Sequence, residues 1–99
     1  MYGISYGSHF ERDVKTCSKR HWDMEAFKQA IADLMQSDEI PLNPRYREHA
    51  LVGSKAGYRA IRVDSAPNPP KDRWVLMYKI QGNEVTLIRT GTHEEVYGK

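Results

Sequence analysis

Two apolar runs separated by three turn-forming residues constrain this chain more than any other feature. Residues 73–80 hold Trp74, Val75, Leu76, Met77, Tyr78 and Ile80, and residues 84–90 hold Val85, Leu87 and Ile88. Both runs are rich in the aromatic and β-branched types that fit a pleated, half-buried surface. Gln81, Gly82 and Asn83 stand between them, and Gly and Asn tolerate the positive φ a tight hairpin needs. The pattern predicts an antiparallel hairpin over 73–90. A lone hairpin is marginal in water, so more strands and a covering layer must come from elsewhere. Residues 57–64 supply a further strand candidate, and Tyr2, Ile4 and Tyr6 alternate weakly as another. The segment 65–71, with Pro67, Pro69 and Pro70, reads as a loop.

The covering layer is written in the first third of the chain. Phe27, Ala30, Ile31, Leu34 and Met35 recur at i, i+3, i+4, i+7 and i+8, one face of an amphipathic helix. Asp23 is placed to cap it, with Glu25 in a first turn that favours negative charge. It is expected to end near Gln36–Asp38, ahead of Pro41 and Pro44. Phe10, Val14 and Cys17 mark an earlier helix with Ser8 as its expected cap. A short turn over His93–Tyr97 closes the chain. The expected fold is α+β: two N-terminal helices packed on one face of a small antiparallel sheet, forming one domain over residues 1–99.

Composition excludes several classes. No apolar run approaches the roughly 20 residues of a membrane helix, and the N-terminus lacks the pattern of a signal peptide. One cysteine, Cys17, rules out an internal disulfide and fits the reducing cytoplasm. The net charge is only +2, but it is unevenly spread. Residues 1–44 carry five basic and seven acidic residues, whereas residues 45–99 carry ten and six. Arg45, Arg47, Lys55, Arg59 and Arg62 cluster with only Glu48 opposing them, a pattern suited to a phosphate backbone and equally to a solvated surface. No CxxC, HExxH or phosphate-cradling glycine loop occurs, so no metal or cofactor is expected.

Four histidines are present. His9 and His21 fall among solvated charges and read as surface residues. His49 and His93 stand at element ends, before and after the sheet, where a scaffold can aim a side chain into a cleft. Two such groups titrating near neutrality can divide general acid and base work. Spacing alone leaves simple exposure open.

The order Tyr46-Arg47-x-His49-x-Leu51-x-Gly53, Gly57-Tyr58-Arg59, Trp74-x-Leu76-x-Tyr78-Lys79, then Arg89-Thr90-Gly91-Thr92-His93 with Tyr97 following, resembles the YafQ branch of the RelE/ParE toxin superfamily. The resemblance implies a type II toxin that enters the ribosomal A site and cleaves mRNA there without metal. It implies a cognate antitoxin of the DinJ or RelB kind as partner, ribosome and mRNA as target, and an antitoxin-mediated complex with operator DNA. Residue by residue, it assigns His49 and His93 as catalytic, Arg59 and Arg89 as family arginines, and Tyr97 to a position usually aromatic. Arg62 stands where the family usually has a second histidine, and Asp72 lies one residue from the family's usual aspartate.

The chemistry this implies is coherent. RNA carries its own nucleophile, the 2′-hydroxyl, so an enzyme that aligns it with phosphorus needs only a base, an acid and positive charge. His49 is the expected base and His93 the acid, with the roles exchangeable and Asp72 assisting. Arg62 and Arg59, with Lys55 and Arg89, would face the phosphate oxygens, and Tyr97 would stack on a base. The alternatives are a ParE-like gyrase poison, which generally lacks this histidine pattern, and an inactive RNA-binding module.

Overall fold

The computed structural model describes residues 3–36, 49–63 and 74–97, with the side chains of His49 and Ser54 outside that description. Arg45, Arg47, the loop expected over 65–71 and Asp72 also lie outside the described residues. The elements are β1 (Gly3–Tyr6), α1 (Phe10–Lys19), α2 (Met24–Gln36), β2 (His49–Ala50), a 3-10 turn (Gly53–Lys55), β3 (Arg59–Arg62), β4 (Val75–Gln81), β5 (Glu84–Gly91) and α3 (His93–Tyr97). The strands form one sheet in the order β1-β5-β4-β3-β2.

The hairpin forms as its residues dictate. Gln81 pairs with Glu84, and Gly82 takes φ 59 in the two-residue turn. The sheet is mixed, not wholly antiparallel as expected. β1 runs parallel to β5, from Gly3 opposite Glu84 to Tyr6 opposite Leu87. A parallel neighbour requires a crossover rather than a tight turn, and α1 and α2 lie in the long connection that follows β1. Two details also differ from expectation. Ser8 falls one residue too early to cap α1, whose N-cap is His9 with no side-chain cap bond. His93–Tyr97 is a helix, not a turn. Asp23 caps α2 as its sequence predicts: its Oδ1 accepts from the amides of Glu25 and Ala26, both at 3.1 Å.

Alternation along β4 divides the core in two. Trp74, Leu76 and Tyr78 face α1 and α2, with Phe10, Cys17, Phe27, Ala30 and Leu34 from the helices and Ile61, Val63, Val85 and Leu87 from the sheet. Phe27 stacks on Trp74 at 5.1 Å, and Trp22 packs against it at 5.0 Å. Val75 and Met77 face the other side, with Ala60 and with Val96 of α3. Thus the two N-terminal helices share one face and α3 takes the opposite one.

The pairing of β4 with β5 shifts between Met77 and Tyr78, leaving Ile88 without a partner opposite it. Such a bulge breaks the two-residue alternation. Leu87 and Thr90 consequently both serve the helical face, Thr90 through a bond from Trp74 Nε1 to its Oγ1 at 2.9 Å.

His21 adopts φ 62 just past α1. Its amide donates to Ser18 and that of Trp22 to Cys17, the hydrogen-bond pair of a helix end that usually carries glycine. A left-handed non-glycine residue costs about 1–2 kcal/mol, partly offset by glycine's greater freedom when unfolded. His21→Gly is therefore expected to raise stability by roughly 0.5–1 kcal/mol. The check is the urea midpoint at constant slope, and a midpoint at or below the parent's contradicts the assignment.

Candidate functional site

The segment from Arg89 to Tyr97 is held residue by residue. Asp13, buried on α1, accepts from Arg89 Nε at 2.6 Å, from Arg89 Nη2 at 3.3 Å and from the Thr90 amide at 3.2 Å. Thr90 Oγ1 in turn donates to the Val75 carbonyl at 2.8 Å. Gly91 follows at φ 148, and a Cβ there would lie 2.5 Å from Glu95 Oε1. Glycine is needed at this point both for its conformation and to leave room for that carboxylate.

Thr92 and Glu95 then form a reciprocal cap. The Thr92 amide donates to Glu95 Oε1 at 2.9 Å, and the Glu95 amide donates to Thr92 Oγ1 at 3.1 Å. Arg20, at the C-terminus of α1, grips the same carboxylate with Nη1 on Oε1 at 2.9 Å and Nη2 on Oε2 at 2.5 Å. These bonds hold the Glu95 carboxyl down at about 2, with the Arg20 hydrogen bonds the largest cause. His93 opens α3 and is exposed. Tyr97, one turn on, meets its ring edge-on at 4.4 Å between centroids.

The sheet brings other predicted residues to this side. His49 pairs with Ala60, and Ala60 pairs with Met77. Ala60 and Met77 belong to the cluster that holds Val96, Tyr97, Leu51 and Tyr58, so the register places His49 on the α3 face. Arg62, two residues along β3 from Ala60, falls on the same face. Burial pushes the Tyr97 hydroxyl up, and the Arg62 cation draws it the other way. His49, Arg62, His93 and Tyr97 are thus brought to one side of the sheet.

Other predicted residues are placed differently. Arg59 pairs with Tyr78, a core residue of the helical face, so its position is on the far side. The Arg89 guanidinium is engaged by Asp13. Lys55 lies in the 3-10 turn after β2. His9 and His21 are exposed, as the sequence suggests. Cys17 is buried, and its thiol is pushed up to about 12 by burial, so it is protonated and inert near neutrality. Among the described residues, no group of three or more His, Cys, Asp or Glu is placed to hold a metal ion. No described helix is long and apolar enough to cross a membrane.

Three residues escape a reading of the sequence alone: Asp13, Arg20 and Glu95. Asp13 has a signal, for it lies three residues after Phe10 and four before Cys17, an acid on an apolar stripe. Glu95 has one too, as the fourth residue of a Thr-x-x-Glu cap pattern beginning at Thr92. Arg20 has none, because its partner is 75 residues away.

Comparison with known proteins agrees with this architecture. The family model described as a bacterial toxin of type II toxin–antitoxin system, YafQ, matches residues 2–98. The mRNA interferase toxin YafQ of Escherichia coli K12 is 36% identical over 95 residues, covering 96% of this chain and 95% of that protein. The crystal structure of YafQ from E. coli BL21(DE3) superposes with a TM-score of 0.84 at 33% identity, covering 99% of this chain and all of that one. YafQ in the E. coli DinJ–YafQ complex gives 0.81 at 34% identity over 99% of this chain and 100% of that one. A metal-bound toxin from Helicobacter pylori gives 0.78 at 26% identity, covering 97% and 99%. The fold and the match along the chain define a bacterial toxin of the type II toxin–antitoxin class. Within that class, this chain belongs to the YafQ family.

Two outcomes follow from the geometry. Asp13→Ala leaves a partly buried guanidinium and the Thr90 amide unpaired, and is expected to cost about 2–3 kcal/mol, read as a lower urea midpoint. Asp13→Asn, which keeps an acceptor, should lose less. For Glu95 the folded carboxyl is lowered, so its contribution is complete above the ordinary carboxylate range near 4.5 and fades as pH falls toward about 2. The carboxyl resonance of Glu95 should hold its charged-form position down to about pH 3, and a midpoint near 4.5 would contradict the Arg20 grip.

Proposed function

We propose that this chain is an mRNA interferase, a ribosome-dependent endoribonuclease whose single domain acts in the A site. The observation that carries the reading is the gathering of His49, Arg62, His93 and Tyr97 on the face of the sheet opposite the two long helices. That gathering suits RNA cleavage by its own 2′-hydroxyl. One histidine takes the 2′ proton as the oxygen attacks phosphorus. The other gives a proton to the departing 5′ oxygen. The P–O5′ bond breaks as the P–O2′ bond forms, leaving a 2′,3′-cyclic phosphate and a 5′-hydroxyl, so the reaction calls for no metal or cofactor.

His49 is the assigned base and His93 the acid, with Asp72 supporting one of them. Arg62 supplies fixed charge against the phosphorane oxygens, where developing charge is best met by preorganised donors. Tyr97, whose hydroxyl is pushed up by burial, keeps its proton near neutrality and offers its ring to an unpaired base, a contact worth roughly 1–3 kcal/mol. Lys55 and Arg89 take outlying phosphates, Arg89 while anchored to Asp13, whereas Arg59, whose strand position is on the helical face, has no place in this arrangement. The E. coli relative is solved with DinJ. A DinJ-like antitoxin is the proposed partner here, neutralising the toxin in the cytoplasm and carrying the complex to operator DNA.

Induction in cells tests this directly. The parent should arrest growth and leave codon-phased cuts in translated messages. His49→Ala and His93→Ala should each slow cleavage by about 10²–10⁴-fold and relieve the arrest. Two folded variants that arrest growth as strongly as the parent would sink the assignment. DNA damage without codon-phased cuts would instead mark a gyrase poison.

A further inference from the structure

α3 carries two of the proposed site residues but has only five residues, too few to hold a helix by itself. Its orientation must come from outside. Val96 seats its C-terminal end on the sheet with Tyr97 packed beside it, while the first three residues, His93 to Glu95, are exposed and gain no hold from packing. The second hold is Glu95, gripped through both carboxylate oxygens by Arg20. Arg20 is itself backed by aromatic packing. Its guanidinium lies 5.0 Å over the Trp22 ring, and Trp22 lies 5.0 Å from the fully buried Trp74. The grip therefore links the helical layer to the helix on the opposite face. Glu95 lies two residues from both His93 and Tyr97, which share the other side of the helix at i and i+4. Fixing Glu95 fixes rotation about the axis of α3, and with it the direction in which His93 and Tyr97 are presented.

We propose that Arg20 is a positioning residue for RNA cleavage, acting on His93 and Tyr97 through its two-pronged contact with Glu95 and touching no RNA itself. The proposal rests on the reading of His93 as an acid–base group. Misplacement of a reacting group by about 1 Å can cost on the order of 10²-fold in rate, so a hold of this kind acts on the chemical step rather than on binding. Arginine suits the role because its planar fork meets both carboxylate oxygens and stacks on Trp22, whereas lysine offers a single point charge.

The experiment is single-turnover cleavage of an mRNA codon on programmed ribosomes, with toxin titrated to saturation. Arg20→Ala and Glu95→Gln should each lower the saturating rate about tenfold or more, while the half-saturating toxin concentration stays within about twofold. Arg20→Lys should fall between parent and Arg20→Ala. The double variant should be no slower than the slower single one, since both remove the same contact. The imidazole Hε1 resonance of His93 should move in each variant. A folded Arg20→Ala that cleaves at the parent rate overturns the proposal, as does a loss confined to half-saturation, which would make Arg20 an RNA contact. Should Arg20→Ala not fold, the rates of Arg20→Lys and Glu95→Gln decide the matter by the same criteria. His93→Ala, run alongside, separates the two ideas: full activity there sinks the assignment of the site. An inactive His93→Ala beside a fully active Arg20→Ala sinks only the positioning role.

Discussion

The buried carboxylate of Asp13 joins the helical layer to the sheet. It sits on the apolar side of α1 and accepts from the Arg89 side chain and from the Thr90 amide of β5. Burying a carboxylate is costly unless its oxygens are met by donors and a counter-charge, and here both are supplied by adjacent residues of one strand. The consequence reaches further than α1. Thr90 also takes the Trp74 indole proton and donates to Val75, so the end of β5 is fixed against both the core and its neighbouring strand.

That fixed end is where the candidate site begins. The bulge at Ile88 resets alternation so that Thr90 turns to the helical face. Gly91 then passes beneath the Glu95 carboxylate, and the Thr92–Glu95 cap starts α3 on the opposite side of the sheet. His93 and Tyr97 are the yield of this sequence of constraints, and β2 and β3 bring His49 and Arg62 to the same face. The rigid part of the molecule is thus an arrangement for presenting a few polar groups from element ends, the usual place for binding and catalytic residues.

Much of this is legible in the residues. Periodicity over Phe27–Met35 specifies α2 almost to its last residue, and Gly82-Asn83 specifies the hairpin, because both signals are local. The blocks around His49 and Arg89–His93 point to the family, and strand register places His49 on the face where α3, opened by His93, packs. The mixed character of the sheet is not legible. Tyr2, Ile4 and Tyr6 show that a strand is favoured there, but alternation carries no direction, and the partner of β1 is 81 residues away in the Gly3–Glu84 pair. Arg59 and Arg62 look equivalent in sequence, yet an odd separation along a strand sends them to opposite faces.

What the sequence by itself determined is the two long helices, the β4–β5 hairpin, the strand segments that became β1 and β3, and the chemical types available to a site: imidazoles, guanidiniums and a tyrosine. These follow from helix and strand periods and from turn residues acting over a few positions; the two-residue β2 and the helical form of His93–Tyr97 were not among them. Only the tertiary structure decided that Asp13 belongs to Arg89, that Arg20 belongs to Glu95, and that His49 shares a face with His93. Each of those pairings joins residues more than forty positions apart, and no local preference encodes them. They exist because packing two layers around one sheet brings those positions together, and because burial makes a partner obligatory for any charge left inside.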